Sequence, residues 1–165
     1  MKTDFKSDRL DQTDLKILSQ LRMNARETLT KICKKTRIPI STIFDRLKRL
    51  EELNVIKRHT SLFDMKKLGI HVRVLLLIKV KEDQKNELES YLTKNPFVNN
   101  LFRTNGEISF AVEHLFRDMK GLESFSKNVR KRFKGIEFSV HHILEDLKKE
   151  DFLAGKDISQ DMPIE

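Results

Sequence analysis

Cysteine is nearly absent from this 165-residue sequence, occurring once as Cys33, and one thiol can close neither an internal disulfide nor a multi-thiolate metal site. Cys33 lies at an apolar helical position, where a small buried hydrophobe is the ordinary role. Long apolar runs are missing too: the longest is residues 74–78, and the N-terminus, Met1-Lys2-Thr3-Asp4-Phe5-Lys6, has no apolar stretch of signal-peptide length. A membrane span is thereby excluded, and the free thiol fits a reducing, cytoplasmic setting. There is no internal repeat and no low-complexity segment. No Ser/His/Asp triad, paired acid, phosphate loop or metal cluster has usable spacing, so neither enzyme chemistry nor a cofactor is expected. Adjacent His141 and His142 fall on a strand pattern, where neighbours point to opposite faces and cannot easily share one ion.

What is abundant is positive charge, and it is unevenly spread. Of the formal net +8, residues 1–66 hold 16 Lys/Arg against 9 Asp/Glu, while residues 67–165 hold 17 against 16. Between residues 22 and 58 the count is 11 basic against 4 acidic. Such asymmetry points to a nucleic-acid-binding segment near the front of the chain.

The periodicity of that segment is helical. Asp11 is placed to cap a helix carrying Leu15, Leu18 and Leu21 on one face, with Asp14 in its first turn favouring the positive helix end. A second helix is predicted over residues 28–35 with Leu29, Ile32 and Cys33 inward. The turn Thr36-Arg37-Ile38 leads to Pro39, which suits the first position of a third helix. Ile43, Leu47 and Leu50 follow at i, i+4 and i+7, and Asn54 marks the stop, because Asn tolerates the left-handed conformation. The opposite side of this helix is basic and hydroxylated, the composition of a recognition helix laid against duplex DNA. Residues 55–62 alternate basic and apolar residues and read as a wing or a connecting strand.

The second half changes period. A strand over residues 71–80 has a centre apolar at every position, so both sheet faces should be covered, one of them from outside the monomer. A helix over 83–93 with Leu88, Tyr91 and Leu92 inward follows, then strands over 98–104 and 108–112 joined by Asn105-Gly106, the strongest short hairpin signal. A helix over 118–133 presents Met119, Leu122, Phe125, Val129 and Phe133 on one stripe. Gly135 closes it, and Ile136, Phe138 and Val140 open a last strand. The order βαββαβ is a ferredoxin-like split unit, and burying its free greasy face against a second copy makes a homodimer the simplest assembly.

A helix-turn-helix followed by βαββαβ resembles the Lrp/AsnC family of prokaryotic transcription regulators. The wording carries the resemblance: Leu10-Asp11-Gln12-Thr13-Asp14-Leu15-Lys16-Ile17-Leu18, then Asn24-Ala25-Arg26, Ser41-Thr42-Ile43, Arg46-Leu47-Lys48-Arg49-Leu50-Glu51, Val55-Ile56-Lys57 and Leu68-Gly69. It covers about residues 10–150, in wording over the first third and mainly in topology afterwards. The chain departs from the family pattern with Arg37 where a turn glycine is usual and Pro39 where a capping serine is usual. In Gly106-Glu107-Ile108-Ser109, the family's aromatic and aspartate after the glycine are replaced.

The expectation is therefore an α+β chain: an N-terminal winged helix-turn-helix over 10–62, a linker over 63–70 and a ferredoxin-like ligand-sensing and oligomerisation domain over 71–150, between tails at 1–9 and 151–165. Candidate DNA contacts are Ser41, Thr42, Phe44 and Asp45 toward base edges and Lys48, Arg49, Lys57 and Arg58 toward phosphates. Arg46 is left between DNA and an internal ion pair. The resemblance places a small-molecule effector near Asn105, Gly106 and Glu107. Glu107 and Glu113, with His114, read either as the lining of a pocket between dimers or as a polar sheet edge. The expected partners are double-stranded DNA and a second copy, with an octamer as one larger even-numbered assembly. An architectural DNA-compacting protein and an enzyme of the siroheme decarboxylase type, which shares the two-domain plan, are the alternatives.

Overall fold

The computed structural model describes residues 9–155, and the first eight and last ten residues, parts of both expected tails, lie outside the described residues. The chain forms two compact units: residues 9–62 together with 148–155, and residues 63–147.

In the first unit, α1 (Gln12–Met23), α2 (Leu29–Thr36) and α3 (Ile40–Glu52) enclose a small core. Helix α1 begins at a reciprocal capping box: the Asp11 carboxylate accepts from the Asp14 N–H and the Asp14 carboxylate from the Asp11 N–H, each at 2.9 Å. Thr28 caps α2 through the Lys31 N–H. The core is Ile17, Ile32 and Ile43, all fully buried, with Leu21, Leu29, Cys33, Ile38 and Leu47 packed around them. Cys33 is thus the packing residue its position implied. The stripe expected on α1 was offset: Ile17 is wholly buried and Leu18 only partly.

Within the helix-turn-helix the chain adopts left-handed backbone at Arg37 and Asn54, where it must turn. Arg37 (φ 60°) ends α2, its N–H bonded to the Cys33 carbonyl, and Asn54 (φ 56°) follows α3. After Asn54, the N–H groups of Val55 and Ile56 both bond the Leu50 carbonyl, closing the helix end. Pro39 sits one position earlier than expected, as the N-cap residue with ψ 144°, and Ile40 takes the first helical place. Residues 55–62 form no strand. They find no ladder partner in the described residues, and an isolated extended segment gains nothing from pairing.

The second unit is the expected βαββαβ. Strands β1 (Val72–Lys79), β2 (Val98–Arg103), β3 (Phe110–Phe116) and β4 (Glu137–His142) form one antiparallel sheet in the order β2-β3-β1-β4. Helices α4 (Lys85–Thr93), entered through a 3-10 turn at Glu82–Gln84, and α5 (Met119–Arg132) cover one face. On that face Val74, Leu76 and Ile78 of β1 and Phe110, Val112 and Phe116 of β3 meet Leu88, Leu92, Leu122, Phe125 and Val129, with Phe133 just past α5. Met119, expected on the inward stripe, is exposed because it opens α5 beyond the edge of this core. The third strand starts at Phe110, not at residue 108, so Asn105-Gly106 lies within a longer loop over 104–109. There the Thr104 hydroxyl donates to the Ile108 carbonyl and the Ser109 N–H turns away to Ile78 of β1. Alternate residues of the strands, among them Leu75 and Leu77 of β1 and Ala111 and Leu115 of β3, face away from the helices and are only half-buried; Phe102 of β2 on the same side is exposed.

Candidate nucleic-acid interface

Helix α3 has two sides of different fate. Ile43 and Leu50 are buried and Leu47 packs beside the core, whereas Ser41, Phe44, Asp45 and Lys48 are exposed and Thr42 is half-buried. In helical projection these residues make one outward arc with Asp45 near its middle, Phe44 and Lys48 on one flank and Thr42 and Arg49 on the other. Phe44 leaves 58% of its surface in solvent, an arrangement that folding alone would not favour for the ring. Lys57 and Arg58, just beyond the helix, are exposed.

Arg46 and Arg49 behave differently. Arg46 Nη1 donates to Asp11 Oδ2 at 2.5 Å and to the two Asp14 oxygens at 3.1 and 3.2 Å. Arg49 Nη1 donates to Asp14 Oδ2 at 3.1 Å, and its Nη2 to the Arg9 backbone carbonyl at 2.8 Å. Asp14 has no exposed surface, so two guanidinium groups of α3 close on one buried carboxylate of α1. Burial works against the Arg46 charge, but the bonds to Asp11 and the field of Asp14 outweigh it and raise the guanidinium pKa. Burial likewise pushes the Asp11 carboxyl up, and the Asp14 N–H and Arg46 more than offset this, holding it below its ordinary value. Of the two roles open to Arg46, the structure takes the internal pair. Arg49, expected at the phosphates, is drawn inward by the same acid and sets the pose of the helix.

Asp14 and Arg9 were not singled out as site residues from the sequence. The available signal was a spacing match: Asp11 and Asp14 at i, i+3 on one helix face an equally spaced Arg46 and Arg49 on another. Between the two helices' facing ends lies an open cleft of about 570 Å³ lined by Arg9, Leu10, Asp11, Thr42, Asp45, Arg46 and Arg49.

The residues considered for a small-ligand site do not converge. Asn105, Gly106 and Glu107 are exposed on the loop over 104–109. Glu113 and His114 are neighbours on β3 and so face opposite sides of the sheet. On the open face, Glu113 accepts from Arg73 at 2.8 Å and from the side-chain amides of Asn99 and Asn100, while Arg73 also bonds Asp146 at 2.8 and 2.9 Å. Burial would raise the Glu113 carboxyl, yet Arg73 and the two amides outweigh it and lower the pKa. On the other face His114 is in the core, stacked on Phe116 with ring centroids 4.1 Å apart and tilted against Phe125. Its Nδ1–H donates to the Leu115 carbonyl at 3.0 Å, which leaves Nε2 to accept from the Asn95 amide at 3.1 Å. The two residues thus serve different faces, Glu113 an ion-pair cluster on the open face and His114 the core under the helices.

Residues 10–57 match a family model described as winged helix-turn-helix DNA-binding. An uncharacterized HTH-type transcriptional regulator of Pyrococcus furiosus, PF1734, is 30% identical over 143 residues, covering 87% of this chain and 96% of its own length. Among solved structures, Bacillus subtilis LrpC superposes with a TM-score of 0.78 at 23% identity, covering 86% of this chain and 99% of that one. The Neisseria meningitidis transcriptional regulator NMB0573, in complex with L-Met, gives 0.78 at 22%, covering 85% and 93%. With this fold, this helix-turn-helix and these relatives, the chain belongs to the Lrp/AsnC family of DNA-binding transcription regulators.

Proposed function

We propose that this regulator binds a specific duplex site in the cytoplasm as a homodimer, each subunit laying α3 in the major groove. The carrying observation is the outward arc of α3, on which Ser41, Phe44, Asp45 and Lys48 are exposed and take no part in the core. Ser41 and Thr42 offer hydroxyls to base edges, Asp45 an acceptor for a cytosine amino group, and Phe44 an apolar edge for a thymine methyl. Lys48, Lys57 and Arg58 supply sequence-independent phosphate contacts. Arg46 and Arg49 act from behind the surface by fixing the helix on Asp14.

A small-molecule effector, an amino acid by analogy with the L-Met complex of NMB0573, is assigned to the subunit boundary near Asn105, Gly106 and Glu107. No reaction is proposed, as the relatives are regulators. Selection of bound DNA from a random pool, with and without a panel of amino acids, tests both halves of this reading. The expected result is a two-fold symmetric consensus whose affinity falls steeply with salt and shifts with one amino acid. Equal binding of random and selected DNA would favour a compacting protein, and a flat salt response would remove the phosphate contacts.

A further inference from the structure

Arg9 precedes α1, in the stretch that the sequence assigns to a tail, yet its backbone is tied to the recognition helix. The Arg9 carbonyl accepts from Arg49 Nη2 at 2.8 Å, and Arg49 is in turn held by Asp14. This places the Arg9 residue on the rim of the cleft whose other wall is Thr42, Asp45 and Arg49 of α3. The charges on this flank are unequal in availability. Arg46 and Arg49 turn back onto buried or half-buried carboxylates, whereas Arg9 is exposed and its guanidinium has no carboxylate partner among the described residues. Asp45, at the middle of the outward arc, repels a phosphate approaching that side unless a cation stands beside it. Arg9 is the cation that lines the same cleft as Asp45 without a carboxylate of its own among the described residues.

We propose that Arg9 is a phosphate contact on the Thr42–Asp45–Arg49 flank of α3, a residue of the DNA-binding surface supplied from outside the helix-turn-helix itself. The inference rests on the DNA reading above. A guanidinium suits a phosphate because its paired N–H groups meet two oxygens at once. Because the anchor is a main-chain carbonyl, the Arg9 backbone is ordered before DNA arrives, so less freedom is lost on binding. For the same reason, replacing the side chain leaves the Arg49 bond in place, and the variant keeps its fold.

The test is equilibrium binding of the full chain to a selected duplex and to an unrelated one, over a salt series, for the parent, Arg9→Ala, Arg9→Lys and Lys127→Ala. Lys127 is an exposed cation of α5 and controls for the loss of one charge as such. Arg9→Ala is expected to weaken both duplexes by the same factor and to make the log–log salt slope shallower by about 0.9 for each bound subunit. Arg9→Lys should recover most of the slope, and Lys127→Ala should match the parent. Equal slopes for parent and Arg9→Ala overturn the inference, as does an equal effect of Lys127→Ala or a changed preference between the duplexes. A parent that binds neither duplex overturns the DNA reading and this inference together; a parent that binds with Arg9→Ala indistinguishable overturns this inference alone.

Discussion

Asp14 is a carboxylate without exposed surface, and its energetics follow from what surrounds it. It accepts from the Asp11 N–H, Arg46 and Arg49, so removing it takes the buried carboxylate from two guanidinium groups and breaks one half of the capping box, while Asp11 still caps α1 and pairs with Arg46. Asp14→Ala is expected to destabilise the first unit by about 3 kcal/mol, the lower end for a broken buried pair, because Arg46 retains access to water. Hydrogen exchange of the α1 and α3 amides in the full chain reads this loss, and protection equal to the parent would refute it. His114 makes the opposite electrostatic statement. Burial, only partly countered by the Leu115 carbonyl, lowers its pKa from 6.5 to about 4, so the folded chain holds the ring neutral where the unfolded chain protonates it. Its contribution to stability is therefore complete above pH 6.5 and is lost as pH falls from 6.5 toward 4. In an NMR titration the His114 ring resonances should stay fixed down to pH 5; a midpoint near 6.5 would contradict its place in the core. Neither role was legible in the sequence. Asp14 looked like a dipole-favouring first-turn acid and His114 like a residue of either a pocket or a polar sheet edge, because single-residue chemistry does not reveal which partners tertiary packing delivers.

At the scale of the elements, local chemistry was readable wherever it is decided locally. Asn54 takes the left-handed turn after α3, and Asp11 caps α1 through its carboxylate. It failed where a distant neighbour decides. The Asn105-Gly106 pair suggested a tight hairpin, but the regular ladders of β3 begin at Phe110, opposite Ile78 of β1 and Arg103 of β2, and residues 104–109 form a longer loop. Residues 55–62 alternate as a strand should, yet alternation cannot supply the missing ladder. The turn between α2 and α3 offers a measurable consequence. Arg37 occupies a left-handed conformation in which its Cβ is crowded, and it does so with a good hydrogen bond to Cys33, so the turn is strained but intact. Arg37→Gly should raise stability by about 0.5–1 kcal/mol, the relief of the left-handed penalty less the extra freedom glycine has when unfolded. Thermal melting followed by circular dichroism gives the sign: a lower midpoint in the variant would show that the Arg37 side chain contributes more than its backbone costs.

For the whole molecule the open sheet face is the feature that composition anticipated and one chain leaves incomplete. The continuous apolar centre of β1 implied cover on both sides. Within the second unit Val74, Leu76 and Ile78 receive it from α4 and α5, while Leu75 and Leu77 lie only half-buried on the far side, near Ala111. Burying such side chains against a second copy is worth roughly 1.5–3 kcal/mol for each large aliphatic residue taken fully out of water, and several act together across a two-fold interface. Leu77→Lys discriminates between an interface and a merely greasy surface. The residue points away from the core, so a lysine there can keep its stem along the sheet and its ammonium in water, and the single chain folds normally. Pressed against a copy of itself, the same lysine buries two like charges. Sedimentation should therefore give the parent at twice the mass of one chain and Leu77→Lys at the mass of one, with unchanged circular dichroism. A dimeric Leu77→Lys would move the interface elsewhere. If the variant is monomeric, its affinity for a selected two-half-site duplex should drop far more than its affinity for a single half-site, since only the paired form can engage both halves at once.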